Sequence, residues 1–377
     1  MFNLLKNFQK VGSINASEWI KKNPNKGEER LVYPEIKVEY NNPKTIDDEI
    51  HPTFISLKEE IPPFYVRKIY GGKCFTGNGL VLSPDNIAFN DYTAEEKHPL
   101  RNKRRYKFNK AEKINGKVAI LATDPLNINY FHWIIEIFPR LHLLEKTGIE
   151  CDKYIISCSR PFQNELLKYT NIPEHKFIDN APNRLIQADE LIIPDMINNS
   201  IKIENENGIY YNAKYLPDWV SRYYEQFVWP HLKKTEPKRI FIGRNPTKHR
   251  KLENESEVMD ILSGYGFEKY LLEELTVKEQ AELFYNAEFV IAPHGAGLVN
   301  LLFSQNKTKV LELFSEEYLC NNLQIIAKAK SQDYFYLVSK QAKTRPEKND
   351  LFRKNIYVDV KKLKKTIDMI NSSLYKA

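Results

Sequence analysis

The chain has 377 residues, more than one hydrophobic core ordinarily serves, so two domains are expected rather than one. Apolar residues make up 42% and charged residues 28% of it, and no run of about eighteen uninterrupted apolar residues occurs, which argues against an α-helical membrane span and for a globular protein in water. The net charge of +7 would suit nucleic acid, an acidic lipid surface or a phosphorylated substrate, but lysines and arginines are scattered, and the densest run (Arg101, Lys103, Arg104, Arg105, Lys107) reads first as a solvated loop.

At the start, Met1 to Lys10 lacks the apolar core and cleavage site of a secretory signal, so a cytoplasmic location is expected. Phe2, Leu4, Leu5 and Phe8 between lysines would give weak contact with the inner face of the cell membrane. Residues 1–50 alternate Pro, Asn, Lys and Glu without a period and predict a loosely structured lead-in. From Phe64 to Asn90, Val-, Ile- and Tyr-rich runs are broken by Gly71-Gly72, Gly77-Asn78-Gly79 and Ser83-Pro84-Asp85-Asn86, the punctuation of hairpins in a small antiparallel sheet.

Strands and helices then alternate: Lys117–Thr123, a helix over Tyr130–Lys146, Lys153–Ser157, a helix over Pro161–Thr170, and Glu190–Ile193. That rhythm predicts a parallel sheet wound with helices. A helix over Ala213–His231 runs into the polar Lys233-Lys234-Thr235-Glu236-Pro237, which places a domain boundary there: residues 51–232 form one lobe, 233–340 a second, and 341–377 a tail. The second lobe is more regular, with strands at Arg239–Ile242, Phe267–Leu271, Phe289–Ala292, Lys309–Phe314 and Tyr334–Val338. The helices between them are expected at Glu255–Ser263, Val277–Asn286, Leu298–Phe303 and Tyr318–Ala327. Together they describe a doubly wound nucleotide-binding domain. Thr276 and Glu279 have the spacing of a capping box, and Leu363, Ile367, Ile370 and Leu374 mark a final amphipathic helix.

Pro293-His294-Gly295-Ala296-Gly297-Leu298-Val299-Asn300 follows an apolar strand and opens a helix, the position where α/β sheets bind ligands. Free amides at such a helix start suit a pyrophosphate, although two glycines also serve merely to close a turn. Glu312 interrupts a buried strand and needs a partner, either a basic side chain or a ribose diol. Arg244 and Arg250 stand in a cationic loop at a strand end and match phosphate oxygens; a solvated basic loop is the alternative. His132 and Glu136 are one helical turn apart, either as a base with its orienting carboxylate or as packed core residues. The four cysteines (Cys74, Cys151, Cys158, Cys320) fit no disulfide framework or zinc spacing and read as buried reduced thiols. No D-x-D triplet, H-x-x-x-H, nucleophile elbow or P-loop occurs.

In order, N-x-x-H-W-x-x-E-x-x-P-R at Asn129 to Arg140, then Arg244, Arg250, Asn254-Glu255, Glu279-Gln280, P-H-G-A-G-L-x-N and Glu312 resemble glycosyltransferase family 61 over about Lys117 to Val338. The resemblance implies a GT-B-like α/β fold, two Rossmann-like lobes facing a central cleft with a C-terminal helix after the second. It implies a nucleotide-sugar donor held by Arg244, Arg250, His294, Gly295, Ala296, Gly297 and Glu312, and an acceptor side including Asn129, Trp133 and Arg140. His132 and Glu136 match the family's helix near the cleft, where aspartate is common in place of Glu136. Inverting transfer without metal or cofactor, onto a glycan or lipid-linked glycan of a bacterial capsule or lipopolysaccharide, and no nucleic-acid partner, complete the expectation. The alternatives are a nucleotide-sugar epimerase of similar architecture and a non-catalytic glycan- or nucleic-acid-binding protein.

Overall fold

The computed structural model describes residues 8–9, 12–38, 42–47, 49–55, 60–77, 79–92, 106–107, 110–122, 128–181, 184–197, 201–204, 210–213, 215–244, 251–316, 318–339 and 355–372. Arg101 to Arg105, the loop Thr123 to Pro125 and Arg250 lie outside them. The chain divides into two compact units, residues 1–37 with 60–199 and residues 38–59 with 200–377. The second unit thus begins ahead of the polar stretch at Lys233. Its helix Asp218–Val228 explains why, since Tyr224 packs edge-on against Phe303, and Trp229 just beyond donates from Nε1 to the Phe303 carbonyl at 2.9 Å.

In the first unit four strands run parallel in the spatial order Phe177–Asp179, Lys153–Ile156, Glu112–Ile120, Leu185–Pro194. By chain order that is third, second, first, fourth, half of a Rossmann sheet with its switch point between first and fourth. The hairpin strands Phe64–Tyr70 and Lys73–Phe75 pair antiparallel with the free edge of Leu185–Pro194, so they extend the main sheet rather than form a separate one. A strand of ten residues is long enough to seat both in succession.

The lead-in expected to be loose carries, in its described part, a helix and a strand. Asn15 caps helix Ala16–Lys22 by accepting from the Ser17 and Glu18 amides at 3.0 and 3.3 Å, and Trp19 and Ile20 are buried in the core. Strand Gly27–Tyr33 pairs with Phe64–Tyr70. Buried Arg67 ties these pieces together, donating to Ser17 Oγ at 2.8 Å, Glu29 at 3.1 Å, the Tyr92 hydroxyl at 2.5 Å, and Asp195. Two carboxylates beside it offset the cost of burying the guanidinium.

The helix expected as one piece over Tyr130–Lys146 is interrupted. Tyr130–His132 is α-helical, Trp133–Ile137 forms a π-turn, and Arg140–Thr147 resumes the α-helix. Pro139 supplies the cause, for it has no amide to donate and its ring would strike the carbonyl four residues back. The wider turn relieves that crowding, with the Phe138 amide reaching the Trp133 carbonyl at 3.0 Å.

Where a Rossmann sheet usually leaves a crevice, at the carboxyl ends of its first and fourth strands, Arg140 fills the space. Its guanidinium donates to the carbonyls of Leu121 and Pro194, one from each strand end, and the residue has no exposed surface. Burial pulls its pKa down to about 10, opposed by Tyr92 and Asp195.

The second unit holds five parallel strands in the order Phe267–Tyr270, Lys238–Ile242, Ala287–Pro293, Lys309–Ser315, Tyr334–Ser339. Chain order is 2-1-3-4-5, a doubly wound sheet whose switch point falls between Lys238–Ile242 and Ala287–Pro293. The strands are near-continuously apolar because helices cover both faces of such a sheet. Residues 38–59 belong here: the Lys44 amide and carbonyl bond Tyr334 and Tyr336 across the sheet edge, and Phe54 stacks on Tyr336 at 4.2 Å. Helix Val360–Ser372 buries Leu363, Ile367 and Ile370 in this unit's core, with Asn254 pinning the approach by two bonds to the Val358 backbone at 2.8 and 3.0 Å.

If Arg140 is what closes the first switch point, Arg140→Met strands two buried carbonyls. Unfolding free energy should fall by about 2–4 kcal/mol in urea titrations. A loss under about 0.5 kcal/mol would show that the crevice closes without it.

Candidate functional site

Two groups of candidate residues emerge, one in each unit. In the second, the strand Lys238–Ile242 ends at Gly243-Arg244 and the strand Ala287–Pro293 ends at His294-Gly295, so the switch point itself brings Arg244 to the glycine turn. Arg244 Nη2 donates to the His294 carbonyl at 2.5 Å. A Cβ on Gly295 would stand 1.8 Å from that nitrogen, so only glycine lets the guanidinium lie across the turn. A Cβ on Gly297 would meet Leu272 Cδ1 at 2.6 Å, so that leucine would have to shift.

The segment after the turn, Ala296–Phe303, is a 3-10 helix rather than an α-helix. Among the described residues the amides of Gly295, Ala296 and Gly297 have no acceptor, the first recorded bond being Leu298 N to the Gly295 carbonyl at 3.1 Å. Three amide donors and a half-buried arginine thus meet at one turn, of which Ala296 and Gly297 are partly exposed and Gly295 lies beneath the guanidinium, a concentration of positive potential suited to an anion. Buried Asn300 holds the helix from behind through Gln280 at 2.8 Å, and Gln280 in turn bonds the Leu272 and Leu275 carbonyls. The capping box at Thr276 and Glu279 is present, its two reciprocal bonds at 2.8 and 3.2 Å.

His294 and Glu312 sit differently from the expected donor-facing roles. Glu312 is fully buried, accepting from His294 Nδ1 at 2.5 Å with one oxygen and from the Tyr334 hydroxyl with the other. Its partners are thus a basic side chain and a tyrosine of the same unit, and it has no exposed surface to offer a ribose diol. The second ring nitrogen of His294, Nε2, lies 3.3 Å from Cys320 Sγ, and the ring stacks on Phe314. The side chain of His294 therefore supports the turn from beneath while its carbonyl anchors Arg244. Burial alone would lower the imidazole pKa; the negative charges of Cys320 and Glu312 outweigh it and raise the value to about 9.

In the first unit Asn129 caps the helix, accepting from the Phe131 and His132 amides at 2.9 and 3.4 Å. His132 Nδ1 meets Glu136 Oε1 at 2.9 Å, with both side chains partly exposed. Since a carboxylate only accepts, Nδ1 carries a proton, and in the neutral ring Nε2 then holds the lone pair. Trp133 and Arg140, expected on the acceptor side, are fully buried; Trp133 Nε1 donates to the Ser157 carbonyl at 2.9 Å. They position the helix and the strand ends from inside the core.

Cys320 was legible only as an inert thiol, because nothing in its spacing ties it to His294. The helix expected over Tyr318–Ala327 starts later, at Gln324–Ala329, and a turn in which the Tyr318 amide returns to the Ser315 carbonyl at 3.1 Å leads to Cys320. No group of three or more His, Cys, Asp or Glu among the described residues is placed to hold a metal ion, and none of their helices is long and apolar enough to cross a membrane.

The profile of the family described as Glycosyltransferase 61 matches residues 130–311, just under half of the chain. It runs from the first residue of the His132 helix to the residue before Glu312. Two curated plant proteins match shorter segments. Beta-1,2-xylosyltransferase RCN11 of Oryza sativa subsp. japonica is 34% identical over 92 residues, 22% of this chain and 17% of that protein. A beta-1,2-xylosyltransferase of Arabidopsis thaliana is 27% identical over 109 residues, 26% and 20% respectively. The matched segment spans at most a fifth of either relative. All three matches support one class, glycosyltransferase.

The His294–Glu312 pair has a pH signature. A ring held at about 9 against an ordinary 6.5, by Cys320 first and Glu312 second, adds stability that is complete below about pH 6.5 and fades as pH rises through 9, and Glu312 supplies part of it. Glu312→Gln should therefore cost most near about pH 6 and progressively less toward about pH 10 in chemical unfolding. A penalty that stays constant or grows with pH contradicts the pairing.

Proposed function

We propose that the chain is a glycosyltransferase that moves a sugar from a nucleotide-sugar donor to a hydroxyl of a glycan acceptor. The observation that carries the reading is the convergence of Arg244 and the unpartnered Gly295, Ala296 and Gly297 amides at the second switch point. A diphosphate leaving group needs such donors, because charge develops on it as the glycosidic bond breaks. The similarity to Glycosyltransferase 61 and to plant xylosyltransferases supports the class and makes a pentose the first sugar to test.

In this reading one residue takes the acceptor proton and others receive the leaving group. His132 Nε2 takes the proton of the acceptor hydroxyl while Glu136 orients the ring and steadies the imidazolium. The oxygen attacks C1 of the sugar as the diphosphate departs toward Arg244 and the glycine amides. One displacement inverts the anomeric centre, and arginine and amide donors stand where other enzymes use a divalent ion. Arg250, six residues after Arg244 in the sequence, adds a second cation in the same reading. GT-B architecture, action without cofactor in the cytoplasm or at the inner face of the cell membrane, and a capsular or lipopolysaccharide acceptor belong to this proposal as its wider setting.

The roles separate in a kinetic and binding comparison. Arg244→Ala and Gly295→Ala should each weaken nucleoside-diphosphate binding and lower turnover, the former by about two to three powers of ten. His132→Ala should lower turnover by about two to four powers of ten while the diphosphate binds as before. Full activity in Arg244→Ala removes the leaving-group assignment, and full activity in His132→Ala removes the base.

A further inference from the structure

We infer that Cys320 is a reactive thiol, the chain's site of covalent modification by soft electrophiles and low-molecular-weight disulfides, with His294 as its base and Glu312 as the group that orients that base. The geometry is that of an activated nucleophile: Sγ to His294 Nε2 at 3.3 Å, His294 Nδ1 to Glu312 Oε1 at 2.5 Å, and Glu312 held in turn by the Tyr334 hydroxyl. Nucleophile, base and orienter in that order define such a set whatever the fold that carries it. The Asn322 amide also donates to the sulfur, and Tyr318 packs edge-on against the ring at 5.4 Å. Cys320 is half-buried, so a small reagent can reach it.

The other cysteines sharpen the contrast. Cys74 and Cys151 are buried, and burial pushes both thiols up to about 12. Cys158 is half-buried like Cys320, but burial and the Asp179 carboxylate, 3.6 Å from its sulfur, likewise raise it to about 12. For Cys320 the imidazolium outweighs burial and lowers the value. The two half-buried thiols thus differ in the sign of the charge beside them.

With a disulfide the step is an exchange. Cys320 Sγ attacks one sulfur, the new S–S bond forms as the old one breaks, and the departing thiolate takes the electron pair; the proton that left Cys320 rests on His294 Nε2 and can pass to the leaving sulfur. An adduct would crowd the ring whose own carbonyl anchors Arg244, so modification would weaken the anion site. That last consequence rests on the diphosphate reading, whereas the reactivity does not.

The test is limited labelling of the whole protein with iodoacetamide from about pH 6 to about pH 9, read by peptide mass mapping without nucleotide. Cys320 should label at least about tenfold faster than Cys158 near about pH 6.5, with a rate that climbs less steeply with pH, and His294→Gln should abolish that advantage. Equal rates at Cys320 and Cys158 in the unaltered protein, or a Cys320 rate that climbs about tenfold per pH unit, would overturn the assignment. Because no nucleotide is present, that outcome leaves the diphosphate reading untouched.

Discussion

The contact on which the rest depends is the guanidinium of Arg244 lying across Gly295, bonded to the His294 carbonyl at 2.5 Å. It unites two strand ends that are distant in sequence and adjacent at the switch point. One methyl group on Gly295 would remove it, since its carbon would stand 1.8 Å from the arginine nitrogen. The buried layer beneath, His294 with Glu312, Tyr334 and Cys320, holds the turn that the arginine covers. Polar groups that deep persist only when each has its partner, and here they do.

The first unit solves the same topological problem in the opposite way. Its switch point is closed by Arg140, whose fork bonds one carbonyl from each of the flanking strands. The opening is thereby taken from the ligand and given to stability. On the preceding helix, Pro139 forces a π-turn, and His132 and Glu136 meet at 2.9 Å with both side chains partly exposed. Motif residues that look alike in a pattern of letters therefore part into two kinds: His132 and Glu136 reach solvent, Trp133 and Arg140 do not.

Much of the second sheet was readable from the amino acids because each strand is a short apolar run between helical periods, and the capping box at Thr276 follows from local side-chain chemistry. The order of those strands, and hence the meeting of Arg244 with Gly295, depended on long-range pairing that no local pattern encodes. The lead-in was misjudged because a two-turn helix and one half-exposed strand leave too few periods to register. Residues 38–59 join the second unit through a backbone bridge at Lys44, ion pairs of Lys44 and Asp47, and the ring of Phe54, scattered contacts that carry no periodic signal. For Glu312 the requirement for a partner was legible from the cost of burial, and the choice of His294 over a ribose was not, since both lie at the same strand ends. Pro139 was visible as a helix breaker, but the π-turn that absorbs it depends on how Trp133 and Phe138 pack.

The assignment of the glycine turn as a diphosphate site is tested most directly by calorimetric titration in the presence of a chelator, comparing a nucleoside diphosphate with its parent nucleoside. Direct contact of the phosphates with Arg244 and three backbone amides predicts that the diphosphate binds at least about tenfold more tightly, and that added salt weakens it. Equal affinity for the two, or diphosphate binding seen only when a divalent ion is restored, would contradict the account.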